Sequence, residues 1–358
     1  MKKIIAGVAT AAVLGGGIQQ AVVERQYVVW SQSQLHAEKV SESWLATKIR
    51  PSDEIVEPVM VYHTMLACSP GPGVGQAPPC CQPCDKPDIP DVPDIPDQPG
   101  SQQVDWGVQK LKALEAQKVN NGSTIIIGIA DTGVDARHPD LKVKGGANFT
   151  GGNQSDYGDR AGHGTHCSGL ATGVNNKIGY VGSSQAQLLM AKVLDDQGSG
   201  TNDSIANGVV WLARQGAKVI SLSLGGPQAS QAIAQAVRFA QQSGAVVVAA
   251  AGNNGNSQVM YPAGYQGVIA VSAMDKSGQK AHFSSYGSHI AMTAPGVDTI
   301  STCIGGKYCP MSGTSMATPL AAGVIALSLA TGKPLKYQAM GNPQFFGKGL
   351  PDALATVQ

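Results

Sequence analysis

Ile125-Ile126-Ile127-Gly128-Ile129-Ala130, followed at once by Asp131-Thr132-Gly133, is the stretch on which the fold turns. A continuous run of apolar and small residues, with no polar alternation, predicts a strand buried on both faces. Similar runs return at residues 188–193, 218–224, 245–251 and 268–273. Helix-like stretches separate them, at residues 165–173, 203–215 and 228–243, with a further one at 314–331. Buried strands alternating with helices predict an α/β fold with a mostly parallel central sheet and helices on both faces. In such sheets a site forms beyond the carboxyl ends of the strands, which is where Asp131 falls. A carboxylate there is costly unless it is paired, and a turn-capping role is its plain alternative.

Composition narrows the classes. With 358 residues, 42% of them hydrophobic, the chain is long enough for one large core or two domains. A formal net charge of +1 gives no electrostatic case for a nucleic-acid partner. Aromatics make up only 5% while there are 45 glycines, so packing must rest on small residues and special turns. Past the N-terminus no uninterrupted apolar run reaches the roughly 18 residues of a membrane span. The start itself, Met1-Lys2-Lys3 and then a small and apolar stretch from Ile4 to Ile18, reads as a signal peptide over residues 1–23.

Three further segments carry chemistry. Gly162-His163-Gly164-Thr165-His166-Cys167-Ser168-Gly169 opens a predicted helix. Ser312-Gly313-Thr314-Ser315-Met316-Ala317-Thr318-Pro319 opens another, placing Ser315 where free amides and the helix dipole favour negative charge. Ala249-Ala250-Ala251-Gly252-Asn253 ends a buried strand with an amide side chain. Each alone has a structural reading: a core histidine, a serine N-cap, a turn asparagine. Together they supply acid, base, nucleophile and oxyanion donor in the order Asp, His, Ser, with separations of 32 and 152 positions. On these motifs the chain resembles the subtilisin-like serine peptidases, from about Gln102 to near the C-terminus, where Phe346-Gly347-Lys348-Gly349-Leu350 is similar to the family's closing segment.

The resemblance implies a mechanism. Ser315 attacks the scissile carbonyl, His163 takes its proton, Asp131 orients His163, and the Asn253 side chain with the Ser315 amide holds the oxyanion. His166 is a rival base, and Asp135 and Asp140 are rival acids. Ser223-Leu224-Gly225 and the facing Gly198-Ser199-Gly200 resemble the two edges that pair with an extended substrate. Met260 falls where the family often has a small residue at the base of the pocket, which implies a shallower pocket. Residues 174–180 resemble the loop around a structural calcium. Its ligands would be the side chains of Gln102, Asp140 and Asn176 and the carbonyls of Val174, Ile178 and Tyr180. Cys167 resembles the buried thiol of the family's thiol-containing branch.

The organisation ahead of the catalytic part, residues 101–358, is tripartite: the signal, a small α+β propeptide-like segment at 24–66, and a linker at 67–100. The segment reads as a strand at 26–30, a helix-like stretch at 33–48 and a second strand at 54–62. The linker holds Cys68, Cys80, Cys81 and Cys84 among many prolines, which favour extended backbone. No histidine lies in that cluster and its spacing is irregular, so disulfides are preferred to a metal, with connectivity open. Cys303 and Cys309 flank a hairpin-like turn and are a further disulfide candidate. Maturation is expected by a cut near residues 98–103. The expectation is a secreted, monomeric serine endopeptidase acting on protein or peptide substrates. Its own propeptide would inhibit it, and it would have no nucleic-acid or membrane partner in the mature form. The alternatives are a catalytically silent binding relative and a metallohydrolase built on Asp131, His163 and His166; the latter lacks the His-Glu-x-x-His spacing.

Overall fold

The computed structural model describes residues 26–31, 36–41, 54–65, 67 and 101–358. The signal stretch and nearly all of the 67–100 linker therefore lie outside the described residues. The centre is a seven-stranded sheet in which every neighbouring pair is parallel. From one edge its order is Ile290–Pro295, Ile269–Met274, Val246–Ala250, Val219–Leu222, Ile126–Asp131, Gln187–Lys192 and Val143–Asn148. The two edge strands, Ile290–Pro295 and Val143–Asn148, were not read from the sequence.

Side-chain parity along Ile126–Asp131 shows why the run has no polar positions. Ile127 and Ile129 enter one core with Met190, Val248, Met316 and Leu320. Ala130 enters the opposite core with Ile205, Leu212, Ile220 and Ile233. Gly128 belongs to that second face: a Cβ there would lie 2.7 Å from a Leu212 methyl, so glycine makes room for the Asn202–Arg214 helix. Ser230 caps the companion helix, Gln231–Gln242, by accepting from the Ile233 amide. The first core is covered by His163–Thr172 and by Thr314–Thr331, which packs against it. Thr314–Thr331 is apolar and long enough to cross a membrane by composition, but 83% of it is buried inside the molecule, as befits a central core helix.

The propeptide-like segment differs from its sequence reading. His36–Ser41, expected to be helical, is a strand antiparallel to Gln26–Ser31, which also pairs antiparallel with Glu54–Pro58. Tertiary pairing overrides local helix preference here. The segment sits on the N-termini of the two surface helices. Glu57 accepts from the Gln231 amide at 2.7 Å and the Ala232 amide at 3.0 Å, placing a carboxylate where the dipole favours it. Asn202 accepts from the Met60 amide at 3.0 Å, and Asn207 exchanges two bonds of 2.9 Å with the Ala37 backbone.

Candidate active site

Asp131 ends its strand and is fully buried. Its Oδ1 accepts from His163 Nδ1 at 2.6 Å and from the Thr132 amide at 2.7 Å. His163 begins its helix, brought this close because Gly164 has no Cβ: one there would collide with the Gly133 carbonyl. In the neutral ring, with Nδ1–H donating to the carboxylate, Nε2 carries the lone pair, and that atom is buried with no hydrogen-bond partner. Burial pushes the ring's pKa down, but Asp131, joined by the neighbouring Cys167, holds it well above the usual 6.5.

A contact that sequence reasoning missed fixes this pair. Asp159 accepts from Thr132 Oγ1 at 2.9 Å, from the Gly162 amide at 2.9 Å, and from the Thr165 amide at 2.9 Å. It thereby ties the end of the Asp131 strand to the start of the His163 helix. The available signal was an acidic residue four positions before His163, just ahead of a helix start.

Ser315 lies in the first turn of Thr314–Thr331, with its hydroxyl donating to the Ser223 carbonyl at 3.1 Å. Pro319 stands four residues on and cannot donate to the Ser315 carbonyl. That carbonyl accepts instead from Ser223 Oγ at 2.8 Å and Cys167 Sγ at 3.6 Å, which anchors the turn. Cys167 Sγ is also 3.9 Å from His163 Nδ1, so one thiol touches both residues. Burial pushes that thiol's pKa up and keeps it neutral. Asp131, His163 and Cys167 offer atoms within 4.8 Å of one another; with the thiol protonated and Nδ1 committed to Asp131, they form a hydrogen-bonded cluster rather than a metal centre. His166 is not part of it. Its Nε2 donates to the Thr299 and Cys309 carbonyls at 3.1 and 3.0 Å, and burial lowers its pKa to about 3, so it is a neutral structural histidine. Asp135 binds the Gly305 amide at 2.9 Å.

The Asn253 amide has one orientation because its Oδ1 accepts from Thr314 Oγ1 at 2.9 Å and from the Thr314 amide at 3.0 Å. Its Nδ2 then donates to the Met65 carbonyl at 2.5 Å, and the Ser315 amide donates to the same oxygen at 3.2 Å. Two N–H groups thus converge on one carbonyl oxygen of the chain's own segment. Val61–Thr64 runs antiparallel between Ser199–Thr201 and Leu224–Gly225 as the middle strand of three. The Thr64 amide donates to the Gly198 carbonyl at 3.0 Å and the Met65 amide to the Ser223 carbonyl at 3.3 Å. The structure therefore brings both expected edges together around Val61–Thr64. Met65 is buried against Ala250 and Met260, and a Cβ on Gly225 would strike its methyl group.

The expected calcium loop is also gathered. Gln102 Nε2 lies 2.6 Å from the Ile178 carbonyl and 3.4 Å from that of Val174. The buried Asp140 carboxylate accepts from Asn176 Nδ2 at 2.9 Å, the Tyr180 amide at 2.8 Å and Tyr308 Oη at 2.7 Å. All three donors are neutral.

A parallel α/β sheet that takes an extended segment as an added strand, and grips its carbonyl oxygen with two donors beside a serine, is the framework of a serine peptidase. Comparison with known proteins places it further. Residues 122–340 match the subtilase family. The chain is 46% identical over 267 residues to thermitase of Thermoactinomyces vulgaris, covering 71% of this chain and 95% of thermitase. It is 42% identical over 276 residues to subtilisin E of Bacillus subtilis (strain 168), covering 72% of each. It is 41% identical over 276 residues to subtilisin of Bacillus pumilus, covering 72% of this chain and all of that one. The chain belongs to the subtilase family and is a serine endopeptidase.

Proposed function

We propose that this is a secreted endopeptidase that cuts protein and peptide chains through an acyl-enzyme on Ser315, and that it is made as a precursor silenced by residues 24–66. The observation that carries the reading is the Met65 carbonyl oxygen held by Asn253 Nδ2 and the Ser315 amide, with Met65 continuing an added strand. Ser315 Oγ turns from the Ser223 carbonyl to His163 Nε2, gives up its proton and attacks a carbonyl in that position. Oxyanion charge then falls on the two donors, an arrangement worth about 2.7–4 kcal/mol per donor, as established for this donor in subtilisin. His163, held as a cation by Asp131, returns the proton to the leaving amine, and water releases the acyl group. Precursor silencing is supported by the filled cleft and by Glu57 on the helix ends. New amino termini released from an unfolded protein by the matured chain test the reading; intact substrate after long incubation contradicts it.

Acid should switch the enzyme off. The base is useful only when neutral, and Asp131 holds the His163 pKa above its ordinary value. The rate of peptide hydrolysis is expected to rise with pH along one deprotonation, with a midpoint above 6.5. A pH profile of kcat/KM that is already flat at pH 6 contradicts this.

Calcium belongs to the same proposal. Among the described residues, buried Asp140 has only neutral donors and no cationic partner, and a lone buried carboxylate suits a hard cation. Gln102, Asp140, Asn176 and the carbonyls of Val174, Ile178 and Tyr180 would hold it; bound there, calcium supplies charge compensation and loop closure. At about 1,000 times Kd it would stabilise by about 4 kcal/mol, or about 10 °C in Tm. Thermal unfolding with calcium and with a chelator measures this, and equal Tm values contradict it. Cys303 and Cys309, with Cα atoms 6.0 Å apart, form the disulfide of the Thr299–Cys303 and Lys307–Met311 hairpin in this reading, in keeping with an oxidising destination.

A further inference from the structure

We infer that the bond this chain cuts first in itself is Met65–Leu66, so that the Pro/Cys-rich stretch 66–100 stays on the enzyme as an N-terminal arm instead of leaving with the inhibitory segment. The inference rests on the assignment of Ser315 as nucleophile. It differs from the cut near residues 98–103 that the family resemblance leads one to expect.

Three observations place the bond. The Met65 carbonyl oxygen receives both the Asn253 and the Ser315 donors. The Met65 side chain is buried against Ala250 and Met260, filling the pocket for the side chain before the cut. Beyond the bond the chain continues along the cleft, with the Ala67 amide donating to the Ser312 carbonyl at 2.9 Å. By contrast, Gln103–Val104 pairs with Tyr180–Val181, and the Gln103 amide bonds the Gly179 carbonyl at 2.6 Å. The residues beside the alternative cut are thus committed to the calcium loop rather than to Ser315.

The step balances with water alone. Ser315 Oγ bonds to the Met65 carbonyl carbon as its proton passes to His163 Nε2. The carbon–nitrogen bond to Leu66 breaks, and the same proton moves to the Leu66 amine. Water then hydrolyses the ester, leaving Met65 as a carboxylate and restoring the Ser315 hydroxyl. The larger product begins at Leu66 and keeps Cys68, Cys80, Cys81 and Cys84. The thioether fits because Met260 walls the pocket; a charged side chain at position 65 would be buried unpaired.

Intact-mass spectrometry and N-terminal sequencing of the full chain, sampled from the first minutes of maturation, test this. The first new N-terminus is expected at Leu66, matched by a fragment ending at Met65. Met65→Asp should slow the first cut at least about 10-fold, while Met65→Leu, also apolar, is cut at the same bond. A first N-terminus at residues 98–103 or anywhere else overturns the inference, as does a Met65→Asp chain cut at the wild-type rate. If the cut falls elsewhere but depends on Ser315, only the bond assignment fails. If Ser315→Ala chains are cut like wild type, the nucleophile assignment fails with it.

Discussion

Ser315→Ala is expected to lower peptide hydrolysis by about 10⁶-fold, the scale established for subtilisin itself rather than one read from this geometry. The same change should leave the precursor at full length. Loss of folding is not the expected cause. The hydroxyl's one hydrogen bond is to the Ser223 carbonyl, and that carbonyl keeps the Met65 amide as a donor, so no buried acceptor is orphaned. The Ser315 amide still meets the Met65 oxygen. A neutral hydrogen bond of this kind is worth about 1 kcal/mol, small against the stability of a domain. The test is a variant with unchanged thermal unfolding, no self-cleavage and no turnover. Turnover within a hundredfold of wild type would contradict the assignment.

Asp131→Asn should cost about 10⁴-fold in kcat, the scale known for triad aspartates, with the fold retained. Oδ1 now serves two donors, His163 Nδ1 and the Thr132 amide, while Oδ2 is buried without a partner. An asparagine has two poor choices. With its oxygen toward the donors, its NH2 group occupies the Oδ2 position and finds no acceptor. With its NH2 toward them, it faces the Thr132 N–H and forces His163 to accept at Nδ1, leaving Nε2 protonated and useless as a base. Either way the charge that stabilises the imidazolium is gone. The acid limb of the pH profile should therefore move to lower pH as the maximal rate falls, a paired change that mere loosening of the site would not produce. Stopped assays across pH measure both; an unchanged midpoint contradicts the role given to Asp131.

Ile125 to Ala130 announced a central strand because both faces of that strand meet apolar cores, so burial left no polar position to blur the pattern. Edge strands lack that signature. Val143–Asn148 contains Lys144 and the pair Gly145-Gly146, and Ile290–Pro295 ends in proline; neither reads as a buried run. His36–Ser41 defeated local reading because its strand form rests on contacts with other elements, Gln26–Ser31 beside it and the distant Asn207 across from Ala37. The residues proposed to react were legible for the opposite reason. Close approach of strand end and helix start demands glycines around His163, and proline at 319 frees the Ser315 carbonyl, so the chemistry leaves marks in the neighbouring residues. Met65 leaves no such mark. Which segment lies in the cleft is decided by pairing with Ser199–Thr201 and Leu224–Gly225, contacts made more than a hundred residues away.

Activation of one hydroxyl by the His163–Asp131 pair can be read out by covalent labelling. The matured chain is treated with a fluorophosphonate, digested and mapped by mass spectrometry. A single adduct is expected on Ser315, formed in step with loss of activity and absent in a His163→Ala variant. An adduct on a different residue, or full activity with Ser315 modified, would contradict it.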